Sequence, residues 1–325
     1  MSAVAAKAKI KVRLSADLRA DAAAVAVLRA LLEVMLANRD GALTGHDPEH
    51  LHQFRIAVRR SRTVQRQLAG VFPPLELRGF RAEFRWLQRA TGEARDLDVH
   101  VLDFEPLRTL LPEPLRPGLD PLRQVLEHRR LAAHGQTARV LRSRRTGDLL
   151  SDWEMLLETL VEVSTVEREA ARQPIGELSA RRTRHVYRQL LRMGEGISPT
   201  SPPEALHELR KKGKELRYLL ELFGVPLHSA DVLDPLIGPL KRVQDVLGRH
   251  QDRQVQTDLL HQVAPEVATL PGGASAVLAM GILIERLASD AGAAREELAV
   301  PLAELGAPEQ QDLVKAMFPN TLPHP

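Results

Sequence analysis

The sequence predicts an all-α protein built as two tandem four-helix-bundle-like halves, and three observations carry that expectation. Apolar residues recur at spacings of three and four almost throughout, as in Ala24, Val27, Leu28, Leu31, Leu32, Met35 and in Leu149, Trp153, Leu156, Leu157, Leu160, which is the period of an amphipathic helix. Alternating runs of β-branched and aromatic residues, the mark of half-buried strands, are absent. The third observation is an internal repeat. Leu51 to Arg62 and Leu206 to Arg217 share the frame L-H-x-x-R-x-x-x-R/K-x-x-R at an offset of 155, and Gly92-Glu93-Ala94-Arg95-Asp96 is echoed by Gly248-Arg249-His250-Gln251-Asp252 at an offset of 156. Two motifs in the same order at nearly the same offset indicate a duplication.

Taken along the chain, breakers divide the periodic pattern into about ten helices. They stand at Gly45 to Pro48, Pro73-Pro74, Pro112 to Pro121, Gly147, Pro174 to Gly176, Ser198 to Pro203, Pro226, Pro265 to Gly273 and Pro301. Asp47-Pro48-Glu49 has the form of an N-cap followed by proline at the first helical position, and Ser201-Pro202-Pro203-Glu204 opens the second copy in the same way. Residues 1–15 read as an N-terminal tail, 16–173 as the first helical bundle, 174–318 as the second, and 319–325 as a C-terminal tail. A chain of 325 residues is long enough for two core-bearing units, with one large domain as the alternative.

Composition excludes several chemistries. With no cysteine there are no disulfides, thiolate metal sites, iron–sulfur clusters or cysteine nucleophiles. The longest uninterrupted apolar stretch, Ala276 to Ile284, falls well short of the ~20 residues a membrane span needs. No secretory signal follows Lys7, Lys9 and Lys11, so a soluble cytoplasmic protein without membrane partners is expected. The formal charge is only +3, but it is unevenly placed. Ten arginines and three acids lie between His50 and Arg95, a local +7 that leaves −4 for the rest of the chain. Only eight of the 45 basic residues are lysines, and guanidinium pairs bidentately with phosphate oxygens where ammonium cannot. A basic region of this kind points to a polyanionic partner.

Helical geometry sharpens the point. At 100° per residue, His52, Arg55, Arg59, Arg62 and Arg66 fall within an arc of about 80°, nearly opposite an apolar face of Phe54, Ala57, Ser61, Val64 and Leu68. A solvated helix interleaves acids at i+4, since like charges at that spacing repel, yet no acid accompanies Arg55, Arg59, Arg62 and Arg66. The second copy repeats the stripe with His207, Arg210, Lys214 and Arg217, but Glu221 stands where Arg66 did. Lys212 falls on the core face, and Gly213 sits mid-helix at a cost of ~1 kcal/mol relative to alanine, so the second copy reads as the weaker anion site. On the next helix Arg78, Arg81, Arg85 and Gln88 form another stripe, backed by Phe80, Phe84 and Leu87; Lys241 and Gln244 match Arg85 and Gln88. Two such helices form one groove, and the stretch from residue 52 to 66 is about 21 Å long at 1.5 Å per residue, enough for an extended chain of phosphates.

These motifs, together with Arg85-Trp86-Leu87, Leu206 to Phe223 and Lys241 to Asp252, resemble the CHAD domain, the conserved histidine α-helical domain, over roughly residues 16 to 318. The resemblance implies two four-helix bundles related by a pseudo-twofold axis, a central basic groove that binds inorganic polyphosphate, and association with polyphosphate granules and their proteins. Carried over by position, the implied contacts are His52, Arg55, Arg59, Arg62, Arg85, His207, Arg210, Lys214, Arg217 and Lys241; Arg66 and Arg81 are added from the helical stripes. Lys211, Lys212, Gly213 and Glu215 depart from the family's second copy, which is more apolar or more basic there. The E-x-E-x-K strand of the triphosphate-tunnel domain that precedes many relatives is missing, so that activity is expected to be absent.

No catalytic set, cofactor or metal site is expected. His50 and His52 point about 200° apart on a helix and cannot chelate together. Asp96-x-Asp98 does not follow a buried strand, and the repeat keeps only Asp252; Asp96 and Asp252 read as supports that orient basic residues. Phosphate loops of the G-x-x-x-x-G-K-S/T type do not occur. The alternatives are binding of nucleic acid or another polyanion, and an enzyme acting on polyphosphate or nucleotides. Against the first stands the count of only eleven aromatic residues, since single-strand binders stack bases on aromatics. Against the second stands the lack of a carboxylate set for Mg²⁺ in the basic region.

Overall fold

A computed structural model describes residues 4–8, 10–198 and 200–318. Among them every regular element is helical, and the one β-bridge, Arg19 with Pro174, is isolated. The first copy of the repeat lies in α1 (Ala20–Thr44), α2 (Pro48–Gln67), α3 (Pro74–Ala90), α4 (Gly92–Leu102), α5 (Phe104–Thr109), α6 (Asp120–Arg142) and α7 (Arg144–Thr159). The second lies in α8 (Ile175–Glu195), α9 (Pro203–Leu219), α10 (Val225–Leu227), α11 (Ala230–Ala268), α12 (Gly273–Glu297), α13 (Ala299–Leu305) and α14 (Pro308–Met317). A π-helical turn, Leu220–Gly224, joins α9 to α10.

The breakers act as their chemistry dictates, with four exceptions. Gly45 ends α1 in the left-handed region at φ 67°, where a side chain would be strained, and Asp47 caps α2 by accepting from the Glu49 amide at 2.8 Å. Gly147 does not break the chain: α7 begins at Ser143, whose hydroxyl accepts from the Thr146 amide, and the glycine rides inside the helix. Pro226 lies within α10. Pro301 falls in the first turn of α13, where no amide donor is needed. Pro265 removes one ladder bond from α11, but Val263 and Val267, both 0% exposed, hold the helix on either side. The second repeat start at Pro203 is as expected, although Ser201 accepts from the Ser198 amide rather than capping α9.

Helices α1 and α2 pack lengthwise, as do α11 and α12, while α8 and α11 flank α9 and α4 lies on α6. The last contact is fixed by Asp98, fully buried, which accepts from Arg130 Nε and meets His134 Nε2, each at 2.8 Å. Trp153 is buried among Phe72, Phe80 and Phe84. Buried apolar side chains from Ala8 to Phe318 join in one core, each fully buried Leu or Phe contributing about 1.5–3 kcal/mol. The segment from Gln173 to Gly176, where α8 begins, is pinned to the start of α1 by Ala20 N to Gln173 O at 2.9 Å and Ile175 N to Leu18 O at 2.8 Å. Ala8, at the N-terminal end, docks on α2 through its amide to Gln53 Oε1 at 2.7 Å. Residues 319–325 lie outside the described residues. Among the described residues no helix is long and apolar enough to cross a membrane.

Candidate functional site

Helix α2 is buried on most of its circumference. Phe54, Ala57, Ser61, Val64 and Leu68 are within 1% of full burial, so the apolar face read from the sequence is the core face. The opposite stripe is not a solvated outer surface. Arg55 is buried, His52, Arg59 and Arg62 are half-buried, and only Arg66 is exposed. His50 turns away from His52 toward α1, its Nδ1 3.1 Å from Asn38 Oδ1, and packs so closely on Gly41 that a Cβ there would lie 2.2 Å from its ring.

Because α2 meets α9, the two copies of the motif face each other. His52, Arg55 and Arg59 from α2 and His207, Arg210 and Lys214 from α9 line one cavity of about 380 Å³. Asp96 and Asp252, the two expected supports, line it too, with Arg95, His100 and Asp103 from the α4 region and Gln251 and Gln256 from α11. The arginines of the two L-H-x-x-R frames, Arg55 and Arg210, each reach toward the downstream motif. Arg55 Nη1 donates to Gln88 O at 2.6 Å and Thr91 Oγ1 at 2.9 Å, closing the corner between α3 and α4. Arg210 Nη2 reaches Asp252 at 3.4 Å. A Cβ at Gly92 would stand 3.8 Å from Arg55 Nη1, and one at Gly248 3.8 Å from Arg210 Nη2. The pairing of guanidinium with the downstream glycine is thus duplicated along with the sequence.

Electrostatics follow from crowding cations in a half-dry space. Burial, partly offset by Asp96, brings the Arg55 pKa down to about 10, with Arg59 and Arg95 pushing the same way. Burial also brings Lys214 down to about 7, helped by Arg210 and Arg59 and opposed by Asp252. His52 is lowered by burial and by Arg95. His100 is lowered by burial against the pull of Asp96, Asp103 and Asp252. Each shift records first the cost of burying a positive charge, which the nearby carboxylates only partly offset.

The basic surface continues out of the cavity along α2. Arg62 is lowered by burial and by Arg85, Arg66, Arg59 and Arg89, which places all of these within electrostatic reach. Arg81, tied to Gln65 O at 2.7 Å, is lowered by burial, Arg66 and Arg85. Arg78, Arg81 and Arg85 line an open hollow of about 600 Å³ with no carboxylate in its wall. Arg59, Arg62, Arg85 and Arg95 make no ion pair or side-chain hydrogen bond among the described residues.

Not every expected residue joins this surface. Arg66 is met by Glu215 of α9 at 3.3 Å. Arg217 is held by Glu221 at 2.6 Å, whose hydrogen bond and charge raise its pKa despite burial. Arg217 and Lys241 line a different, more apolar hollow with Arg60, Glu221 and Asp234. Lys212, expected on the core face, is half-buried and satisfied by Gln189 and Glu215. Arg95, His100 and Asp103 were missed by reading from the sequence, although Asp96, His100 and Asp103 recur at i, i+4, i+7, a stripe that periodicity alone exposes. Among the described residues no group of three or more His, Asp or Glu is arranged to hold a metal ion. All eleven aromatic residues are buried or half-buried, and none lines the central cavity.

Comparison with known proteins gives a family and a fold. The family model described as CHAD domain matches residues 26–261. "Uncharacterized protein MT2285" of Mycobacterium tuberculosis (strain CDC 1551 / Oshkosh) is 27% identical over 270 residues, covering 82% of this chain and 50% of the relative. "Uncharacterized protein Rv2226" of strain H37Rv matches with the same figures. The chain therefore spans about half the length of the curated relatives it matches. Among solved structures, the CHAD domain from the plant Ricinus communis superposes with a TM-score of 0.73 at 24% identity, covering 98% of this chain and 97% of that one. PptA from Streptomyces chartreusis superposes with a TM-score of 0.66 at 15% identity, covering 87% and 99%. At these identities the two structures speak for the fold alone.

Proposed function

The chain belongs to the CHAD domain family, and on that premise we propose that it binds inorganic polyphosphate without turning it over, along the basic surface that runs from the central cavity down α2 to α3. One observation carries the reading: Arg59, Arg62 and Arg85 stand together without a protein carboxylate bonded to any of them. Self-repulsion of this density is relieved by an external polyanion, and the planar forks of arginine suit phosphate oxygens. An anion without bases fits better than nucleic acid, because none of the eleven aromatic side chains is exposed for stacking. In a cell, such binding would carry the protein to cytoplasmic polyphosphate granules and the proteins gathered there.

The test is retention of long-chain polyphosphate against orthophosphate at moderate salt, comparing wild type with Arg59→Gln/Arg62→Gln. This pair avoids Arg55, which also holds the α3–α4 corner. Wild type is expected to retain the polymer selectively, with affinity falling steeply as salt rises because counterions are released. The double variant is expected to lose at least tenfold in affinity and about two units of the log–log salt slope. Equal retention of polymer and orthophosphate overturns the reading, and DNA outcompeting polyphosphate at matched charge reassigns the site to nucleic acid. Chain-length analysis after incubation with Mg²⁺ is expected to show the polymer intact.

A further inference from the structure

Lys214 is set apart from most other lysines. Lys7, Lys211, Lys212 and Lys315 each pair with a carboxylate, Glu49, Glu208, Glu215 and Asp312 respectively. Lys214, half-buried in the wall of the central cavity, makes no hydrogen bond or ion pair among the described residues. From α2 it faces Arg59, Arg55 and His52. The α4 side supplies Arg95, Asp96, His100 and Asp103. On its own helix stand His207, Arg210 and Arg217, and from α11 comes Asp252; α8, which also packs on α9, contributes no group to the cavity. The cavity therefore collects the Lys214 ammonium and the imidazoles of His52 and His100, groups that can change charge, among arginines whose charge is fixed.

Resting on the polyphosphate reading, we propose that this cavity couples ligand binding to proton uptake: Lys214, and with it His52 and His100, gain protons as phosphate oxygens enter, so that the protein holds polyphosphate tightly in mildly acidic solution and loosens it as pH rises. The physical reason is linkage. In the empty cavity burial, Arg210 and Arg59 hold Lys214 at about 7, so near neutrality a large fraction of sites carry an uncharged amine. A phosphate chain brings negative charge against that amine and reverses the balance, raising its pKa toward the ordinary value. The bound state then holds more protons than the free state over the window between the two pKa values. Affinity is highest below about pH 7, where the free site is already charged, and declines above it. Burial and Arg95 lower His52, and burial lowers His100, so protonation of either imidazole works in the same direction.

The experiment is calorimetric titration of the full chain with long-chain polyphosphate at constant ionic strength, in two buffers of different ionisation enthalpy, over pH 6 to 9. Long chains are chosen because their internal phosphates stay ionised throughout. One lysine proton predicts uptake approaching one per site above neutrality and affinity roughly tenfold weaker at pH 8 than at pH 6, each pKa unit regained being a factor of ten. Lys214→Arg, which keeps the charge permanently, is expected to bind with a flattened pH profile and with most of a proton less uptake. Lys214→Gln is expected to bind more weakly at low pH and to converge on wild type at high pH; circular dichroism confirms that both variants fold. Separately, NMR titration of the lysine side chains, only eight in number, reads Lys214 in the free protein without any ligand. Binding with no proton uptake, or with uptake unchanged in Lys214→Arg, overturns the coupling alone. Absence of binding at every pH overturns the polyphosphate reading and the coupling with it.

Discussion

Helices α2 and α9 carry the same L-H-x-x-R frame and lie side by side, yet their cations live in different company. On α2 the one carboxylate, Glu49, sits in the first turn and is used by Lys7 and Gln53, so Arg59 and Arg62 are left without a bonded acid. On α9 and the π-helical turn that follows it, acids alternate with bases: Glu208 takes Lys211, Glu215 takes Lys212 and reaches across to Arg66, and Glu221 takes Arg217 and Arg60. The first copy thus carries cations with no bonded acid, while the second turns much of its own charge inward. The contrast shows why counting basic residues in a repeat overstates the binding surface: what matters is which cations have no internal partner.

The largest effect that breaks the symmetry of the two copies concerns stability. Arg55 is buried and donates two short bonds at the α3–α4 corner, whereas Arg210 is half-buried and reaches only Asp252 at 3.4 Å. Hydrogen bonds from a charged donor are worth about 1.5–3 kcal/mol and a partly exposed ion pair less than about 1. Arg55→Ala is therefore expected to lower unfolding stability by about 2–3 kcal/mol and Arg210→Ala by under about 1 kcal/mol, read from urea midpoints. Equal losses would mean that the second corner is held as firmly as the first.

A smaller effect sharpens the same contrast in binding. Glu221 neutralises Arg217 and Arg60 in the hollow that also contains Lys241. Glu221→Gln retains a hydrogen-bond acceptor while removing the charge, and Arg60 keeps its bond to Ala8 O. Polyphosphate affinity is expected to rise roughly two- to fivefold, the weight of one exposed ion pair, and the salt slope to steepen by about one. Filter retention across a salt series measures both. An unchanged slope would show that Arg217 already reaches the ligand despite its carboxylate.

Much of this was legible in the sequence because a helix fixes angles within itself. The apolar face of α2, the stripe opposite it and the duplicated register all follow from 3.6 residues per turn. The family resemblance implied that His52, Arg55 and Arg59 share one groove with His207, Arg210 and Lys214, and these six line one cavity, with Asp252 3.4 Å from Arg210. What periodicity does not carry is the identity of the neighbouring helix. Nothing near Arg66 in the chain announces Glu215, which arrives from α9, and nothing about Arg217 or Lys241 says that they open onto a separate hollow. Gly147 was misread because a glycine marks a break only where a better capping residue, here Ser143, is not already nearby.

Gly213 is a further position where the second copy departs from the first, and it yields the smallest expected effect. Its counterpart in the first copy is Val58, buried in the core; at Gly213 the space is taken by Gln244, whose Nε2 donates to the glycine carbonyl at 2.8 Å. A Cβ there would meet Gln244 Cγ at 3.6 Å, an ordinary contact, so close approach of α11 does not demand glycine. Gly213→Ala is expected to stabilise the protein by about 0.5–1 kcal/mol through helix propensity and the restricted unfolded chain, seen as a rise in melting temperature of a few degrees with polyphosphate affinity unchanged. Destabilisation would mean that Gln244 cannot yield, and that α9 owes its position beside α11 to the missing side chain.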